Sequence, residues 1–106
     1  MRKVLILTTL LILNATLSSI ALADIEDDIK IAIVASLKDP DSARFGVLTQ
    51  VTPDKYCVTV NAKNSMGGYT GNQEAIVVKL NGAWQTVGIH QMTKEVCARA
   101  IQAVIP

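Results

Sequence analysis

CVTVNAKNSMGGYTG, residues 57–71, is the stretch on which the fold turns. Val58 and Val60 alternate with Thr59 and Asn61, the two-residue period of a strand. The pattern then breaks into a polar loop of Asn64, Ser65, Gly67, Gly68, Tyr69, Thr70 and Gly71, where three glycines let the backbone turn sharply or approach a partner closely. Cys57 stands at the head of the strand, and the second cysteine, Cys97, lies near the other end of the chain.

Upstream, Ile25, Ile29, Ile33 and Leu37 recur every fourth residue, with Ala32 and Ser36 beside them. That spacing predicts an amphipathic helix over residues 24–37. Asp24, Glu26, Asp27 and Asp28 crowd its first turn, where the helix dipole favours negative charge. Ile31 and Val34 lie off the stripe, which predicts cover on more than one side. Lys38-Asp39-Pro40 ends the helix, because proline pushes its predecessor out of helical geometry. The turn that follows has Asp39, Asp41 and Ser42 to bond nearby amides. From Phe45 the period is two: Phe45, Val47 and Val51 alternate with Leu48 and Gln50, Pro53-Asp54 turns, and residues 56–62 run back. Phe45 belongs in the core on this reading, with Arg44 pointing away.

Downstream, residues 74–80 form a third strand whose unbroken apolar patch, Ala75 to Val78, predicts burial on both faces. Asn81-Gly82 is a two-residue hairpin signal, since both residues tolerate the positive φ of a type I′ turn. A fourth strand spans residues 83–89, with Trp84 near its start. Thr93 then caps a last helix with the stripe Val96, Cys97, Ala100, Ile101 and Val104. Helix, four strands, helix is an α+β order. It predicts an antiparallel sheet of three or four strands, with the N-terminal helix and the C-terminal helix packed on one face.

Residues 1–23 read as a secretory signal. Arg2 and Lys3 precede an apolar run, and Ala21-Leu22-Ala23 offers small residues for cleavage after Ala23. The run is short for a membrane anchor, so no integral span is expected after cleavage, and the expected location is periplasmic or secreted. Removing Arg2 and Lys3 turns 10 basic against 9 acidic residues into 8 against 9. A near-neutral chain without a basic run has no electrostatic reason to seek nucleic acid. Residues 24–106 make one small domain with a thin core. In an oxidising compartment Cys57 and Cys97 should form a disulfide, whose loop of about 40 residues is worth about 4 kcal/mol.

Little in the sequence points to catalysis. His90 is the sole histidine, and no neighbour in sequence is placed to orient it. Cys57, Cys97 and His90 lack the paired spacing of a zinc site, and oxidation would remove two of the three ligands, so no metal is expected. Ser42 and Ser65 stand outside any nucleophile elbow. The glycine-rich loop lacks the Gly-Lys-Ser/Thr ending of a phosphate cradle, and no cofactor is expected. The carboxylates Asp39, Asp41, Asp54, Glu74 and Glu95 are scattered along the chain.

Asp39, Pro40, Ser42, Ala43 and Phe45, then Cys57, Val60, Asn61, Lys63, Asn64, Gly67, Gly68, Tyr69 and Gly71, form a pattern close to DPxSAxF…CGxVNxKNxxGGYxG. In this the chain resembles a group of small exported bacterial proteins of uncharacterised function. It departs at Val58, where the pattern has glycine, and it lacks the aromatic that follows the loop. The resemblance implies export and no particular activity.

The remaining expectation is a non-enzymatic binding module of the inhibitor, immunity or envelope-associated kind. Its partner would be a protein or envelope ligand met by Asn61, Lys63, Asn64, Ser65, Tyr69 and Thr70, with Trp84 beside them. A loop whose polar groups simply bond one another is the plainer alternative. A small hydrolase using His90 with Ser65 or a carboxylate is a second, and a structural or assembly component of the envelope a third.

Overall fold

The computed structural model describes residues 24–104; the expected leader, residues 1–23, lies outside them. Helix α1 (residues 24–34) leads into a 3₁₀ turn at Pro40–Ser42. Four strands follow: β1 (Arg44–Thr52), β2 (Lys55–Asn61), β3 (Gln73–Leu80) and β4 (Ala83–His90). Helix α2 (Lys94–Val104) follows β4. The sheet is an antiparallel meander in the order β1-β2-β3-β4.

The two short turns form where their residues direct. Pro53-Asp54 joins β1 to β2, with Thr52 paired to Lys55. Asn81 and Gly82 take φ values of 52° and 81°, both in the left-handed region a type I′ turn needs. Their hairpin pairs Leu80 with Ala83.

The helices do not share a face. Ile29 and Ile33 of α1 pack on Tyr56, Val58, Val60, Ala75 and Val77. Cys97 and Ile101 of α2 pack around Cys57, with Val51, Ile76 and Met92 beside them. Successive strand residues point to opposite sides, so these alternating sets place α1 and α2 on opposite faces. The expectation of one shared face is therefore corrected. The central strands β2 and β3 are apolar on both sides because both sides are covered, as the run Ala75 to Val78 indicated.

Three register shifts adjust the edges, two in β1 (the second between Gln50 and Thr52, at the turn) and one in β4. The first falls between Phe45 and Leu48, so these two residues, three apart, both meet the α1 cluster while Val47 faces solvent. This corrects the period-two reading that grouped Phe45, Val47 and Val51. The shift in β4 leaves Val87 as its extra residue. It sends Ile89 to the α1 side and His90 to the α2 side, opposite Glu74.

Helix α1 ends three residues earlier than its stripe suggested. Ser36 and Leu37 donate to the carbonyls of Ile33 and Val34 at 2.9 and 3.1 Å, a tightened last turn. Thr86 of β4 donates its hydroxyl to the carbonyl of Ala32 at 2.9 Å, occupying an acceptor that the helix end leaves free. Burying Ile29 and Ile33 completely contributes about 2 kcal/mol each. Ile31 is 66% exposed, so nothing described covers that side of α1.

Helix α2 is capped as expected, with the Val96 amide donating to Thr93 Oγ1 at 3.2 Å. Its buried face is narrower than its sequence stripe. Among its residues of described burial, only Cys97 and Ile101 are buried, while Val96 and Ala100 face solvent. The disulfide Cys57–Cys97, with Cα atoms 6.2 Å apart, joins α2 to the centre of the sheet.

Candidate functional site

The loop between β2 and β3 is a small hairpin with its own wiring. Lys63 and Tyr69 form an isolated antiparallel bridge, and residues 64–68 make the tip. Asn64 organises that tip. Its Oδ1 accepts from the amides of Met66 and Gly68 at 2.9 and 3.2 Å, and its carbonyl accepts from Gly67 at 3.1 Å. Gly67 stands at φ 84°, where a side chain would strain the turn. Below the tip, Asn61 Oδ1 accepts from the Gly71 amide at 3.1 Å. The amide and hydroxyl of Thr70 both reach the Ala62 carbonyl at 3.2 Å.

Ser42 ties this loop to the 3₁₀ turn. Its Oγ donates to the Asp39 carbonyl at 2.7 Å and accepts from the Lys63 amide at 2.8 Å. Its carbonyl accepts from the Tyr69 hydroxyl at 3.1 Å. Arg44 then lies over the Tyr69 ring, 4.0 Å from its centre, and Lys63 Nζ lies 5.5 Å away. The turn thus works through Ser42, and Asp39 makes no side-chain cap bond, contrary to its expected role.

These bonds divide the expected recognition residues. Asn61, Asn64, Tyr69 and Thr70 are engaged within the fold. Trp84 is elsewhere: it stacks edge-on against Tyr56, ring centres 5.5 Å apart, and pairs with Lys79 at the far end of β3. Five residues of β3 separate that position from Glu74, about 17 Å at the usual strand rise. Trp84 and Tyr69 therefore do not form one surface.

Lys63, Asn64, Ser65 and Thr70 instead wall a cleft of about 230 Å³ between the loop and the end of α1. Leu37, Ala62 and Ile89 supply its apolar lining, and Ser36, Lys38 and Gln73 complete the polar part. The side chains of Ser36, Lys38, Ser65 and Gln73 make no hydrogen bond or ion pair to another described residue. Lys38 and Lys63 are its basic residues, Lys63 with its Nζ 5.5 Å from the centre of the Tyr69 ring, and no carboxylate lines the cleft. Sequence reasoning missed Lys38, Leu37, Gln73 and Ile89 as site residues. Helix packing brings Leu37 and Lys38 to the loop, the β4 bulge turns Ile89 to the same side, and Gln73 opens β3 just after the loop.

On the opposite face, Thr59 donates to Glu74 Oε2 at 2.6 Å. Glu74 is 3% exposed, and its Oε1 is buried without a partner among the described residues. His90 is its cross-strand neighbour, yet the imidazole folds over Gly88, where an added Cβ would lie 2.7 Å from Nε2. No hydrogen bond joins His90 to a described carboxyl or hydroxyl group. Glu74 looked scattered in sequence because only the β2–β3 register sets it between Thr59 and His90. With both cysteines in the disulfide, the zinc alternative loses its thiolates. Among the described residues no helix is long and apolar enough to cross a membrane. No protein-family model, curated protein or solved structure matches the chain.

Proposed function

We propose that the protein is a small exported binding module, of the inhibitor, immunity or envelope-associated kind, and that the cleft beside the 62–72 loop is its recognition site. The observation that carries this reading is the division of labour within the loop. Asn61, Asn64, Tyr69 and Thr70 hold its shape, while Ser65, Lys38 and Gln73 are left open on the cleft wall. A site that is already shaped loses little conformational freedom on binding. The disulfide fits an extracellular or periplasmic setting, where such a module would meet its partner.

The hydrolase alternative would place His90 at the centre of the chemistry. Its ring lies against Gly88 and has no bonded acid or hydroxyl, so the cleft is the better supported site. For an assembly role, the exposed apolar residues Ile31, Val47, Met66, Leu80, Val87 and Val96 are divided among α1, β1, the loop, β3, β4 and α2.

Capture from envelope extract by the immobilised protein tests the reading. Ser65→Trp should fill the cleft and abolish capture. Lys94→Ala, on the exposed start of α2, should leave it intact. Equal recovery by wild type and a folded Ser65→Trp variant would overturn the assignment.

A further inference from the structure

Resting on that reading, we infer that the cleft takes the C-terminal residue of a partner polypeptide, holding an apolar last side chain and its free carboxylate. The size of the space comes first. About 230 Å³ is below the range that encloses a drug-sized ligand and suits a single compact side chain. Leu37, Ala62 and Ile89 give that side chain an apolar seat.

Charge then selects the other end of the ligand. Lys38 and Lys63 line the cleft without an acidic counterpart, although residues 24–106 hold more acids than bases. The carboxylates nearest in sequence, Asp39 and Asp41, are not in its wall. Helix α1 ends here, and its C-terminal dipole, about half a negative charge, would repel an anion. The charge of Lys38, with that of Lys63 close by over Tyr69, outweighs it. Ser65 and Gln73 add a hydroxyl and an amide able to donate to a carboxylate. A terminal carboxylate next to an apolar side chain presents both features within one residue.

Met66 points to a polypeptide rather than a free acid. It follows Ser65 at the loop tip and is 93% exposed, an apolar, adaptable side chain outside the cleft. A ligand confined to the cleft would leave it in water, whereas a chain leaving the cleft past Ser65 would cover it.

The test uses the disulfide-bonded protein and three probes: an acetylated hexapeptide ending in alanyl-leucine with a free carboxylate, the same peptide amidated, and isocaproate. Binding is followed by calorimetry and by amide shifts in ¹⁵N spectra. The free peptide should saturate, with shifts centred on Ala62, Lys63, Ser65 and Ile89. Amidation should weaken it about tenfold. Lys38→Gln and Lys63→Gln should each weaken it about threefold, as expected for partly solvated charge pairs. Met66→Ala should weaken the peptide and leave isocaproate unchanged.

Equal affinity of acid and amide peptides would overturn the inference, as would shifts centred elsewhere. Isocaproate binding as tightly as the peptide would overturn the polypeptide source. If no probe binds while Ser65→Trp still abolishes envelope capture, this inference falls and the binding-module reading stands. If no probe binds and capture ignores Ser65→Trp, both fall.

Discussion

The two faces of the sheet are held by different means. On the α1 face, Ile29 and Ile33 meet an apolar field of Tyr56, Val58, Val60, Ala75 and Val77, joined at its margin by Phe45, Leu48, Trp84 and Ile89. On the α2 face, Ile101 is the only fully buried aliphatic side chain among the described residues of the helix, and a buried carboxylate occupies part of the sheet nearby. Area holds the first helix. The second has too little apolar surface for that, and a covalent bond makes up the difference.

Removing the bond is the most direct way to break this contrast. Cys57→Ala together with Cys97→Ala should lower the unfolding free energy by about 4 kcal/mol, read from urea denaturation. The loss should also be uneven in space. Hydrogen exchange should show α2 amides losing protection while β2 and β3 keep most of theirs. A loss below about 1 kcal/mol, or α2 amides as protected as those of β2, would mean that packing alone holds the second face.

Cavity substitutions sharpen the same contrast at a smaller scale. Ile33→Ala should cost about 3 kcal/mol, since the dense cluster around it cannot close the space. Ile101→Ala should cost about 2 kcal/mol with the disulfide intact, because its half-buried neighbours Val51, Ile76 and Met92 can move inward. Equal costs would show that the two cores are equally rigid.

A third test concerns the carboxylate that the α2 face tolerates. Thr59→Val removes the only hydrogen bond to the Glu74 carboxyl group from a described residue and leaves that buried group unpaired, at a cost of about 2 kcal/mol. The double variant Thr59→Val/Glu74→Leu should regain most of that loss, because matched apolar groups have no desolvation penalty. If the double variant is as unstable as the single one, Glu74 is held by something other than Thr59.

The central elements were legible because each had a local cause. Asn81-Gly82 dictated its turn, Ala75 to Val78 signalled cover on both sides, and the two cysteines implied the clamp. Face assignment was not legible. A bulge moves every later side chain in its strand across the sheet, and although Gly46 and Gly88 sit at two of the bulges, a strand glycine marks an irregularity without saying which face the later residues take. The site was half legible for the same reason. Lys63, Asn64, Ser65 and Thr70 lie in one polar stretch, so the loop wall was visible. The wall that faces it comes from α1 and β4, and Lys38 read only as part of a helix stop.

The smallest predicted effect separates the shape of the loop from the stability of the fold. Asn64 holds the tip through two amides accepted by its side chain, yet it is exposed and belongs to neither core cluster. Water can replace those bonds, so Asn64→Ala should cost only about 1 kcal/mol of global stability. Its local effect should be larger. The amides of Met66 and Gly68 should exchange much faster, while that of Lys63, held by Ser42, should not change. If the cleft is the recognition site, this variant should retain the fold and the disulfide yet capture partners poorly, because a loop that must be ordered on binding gives up part of the binding energy. Full capture with a visibly mobile tip would show that recognition depends on the α1 side of the cleft, with Lys38 and Leu37, rather than on the loop.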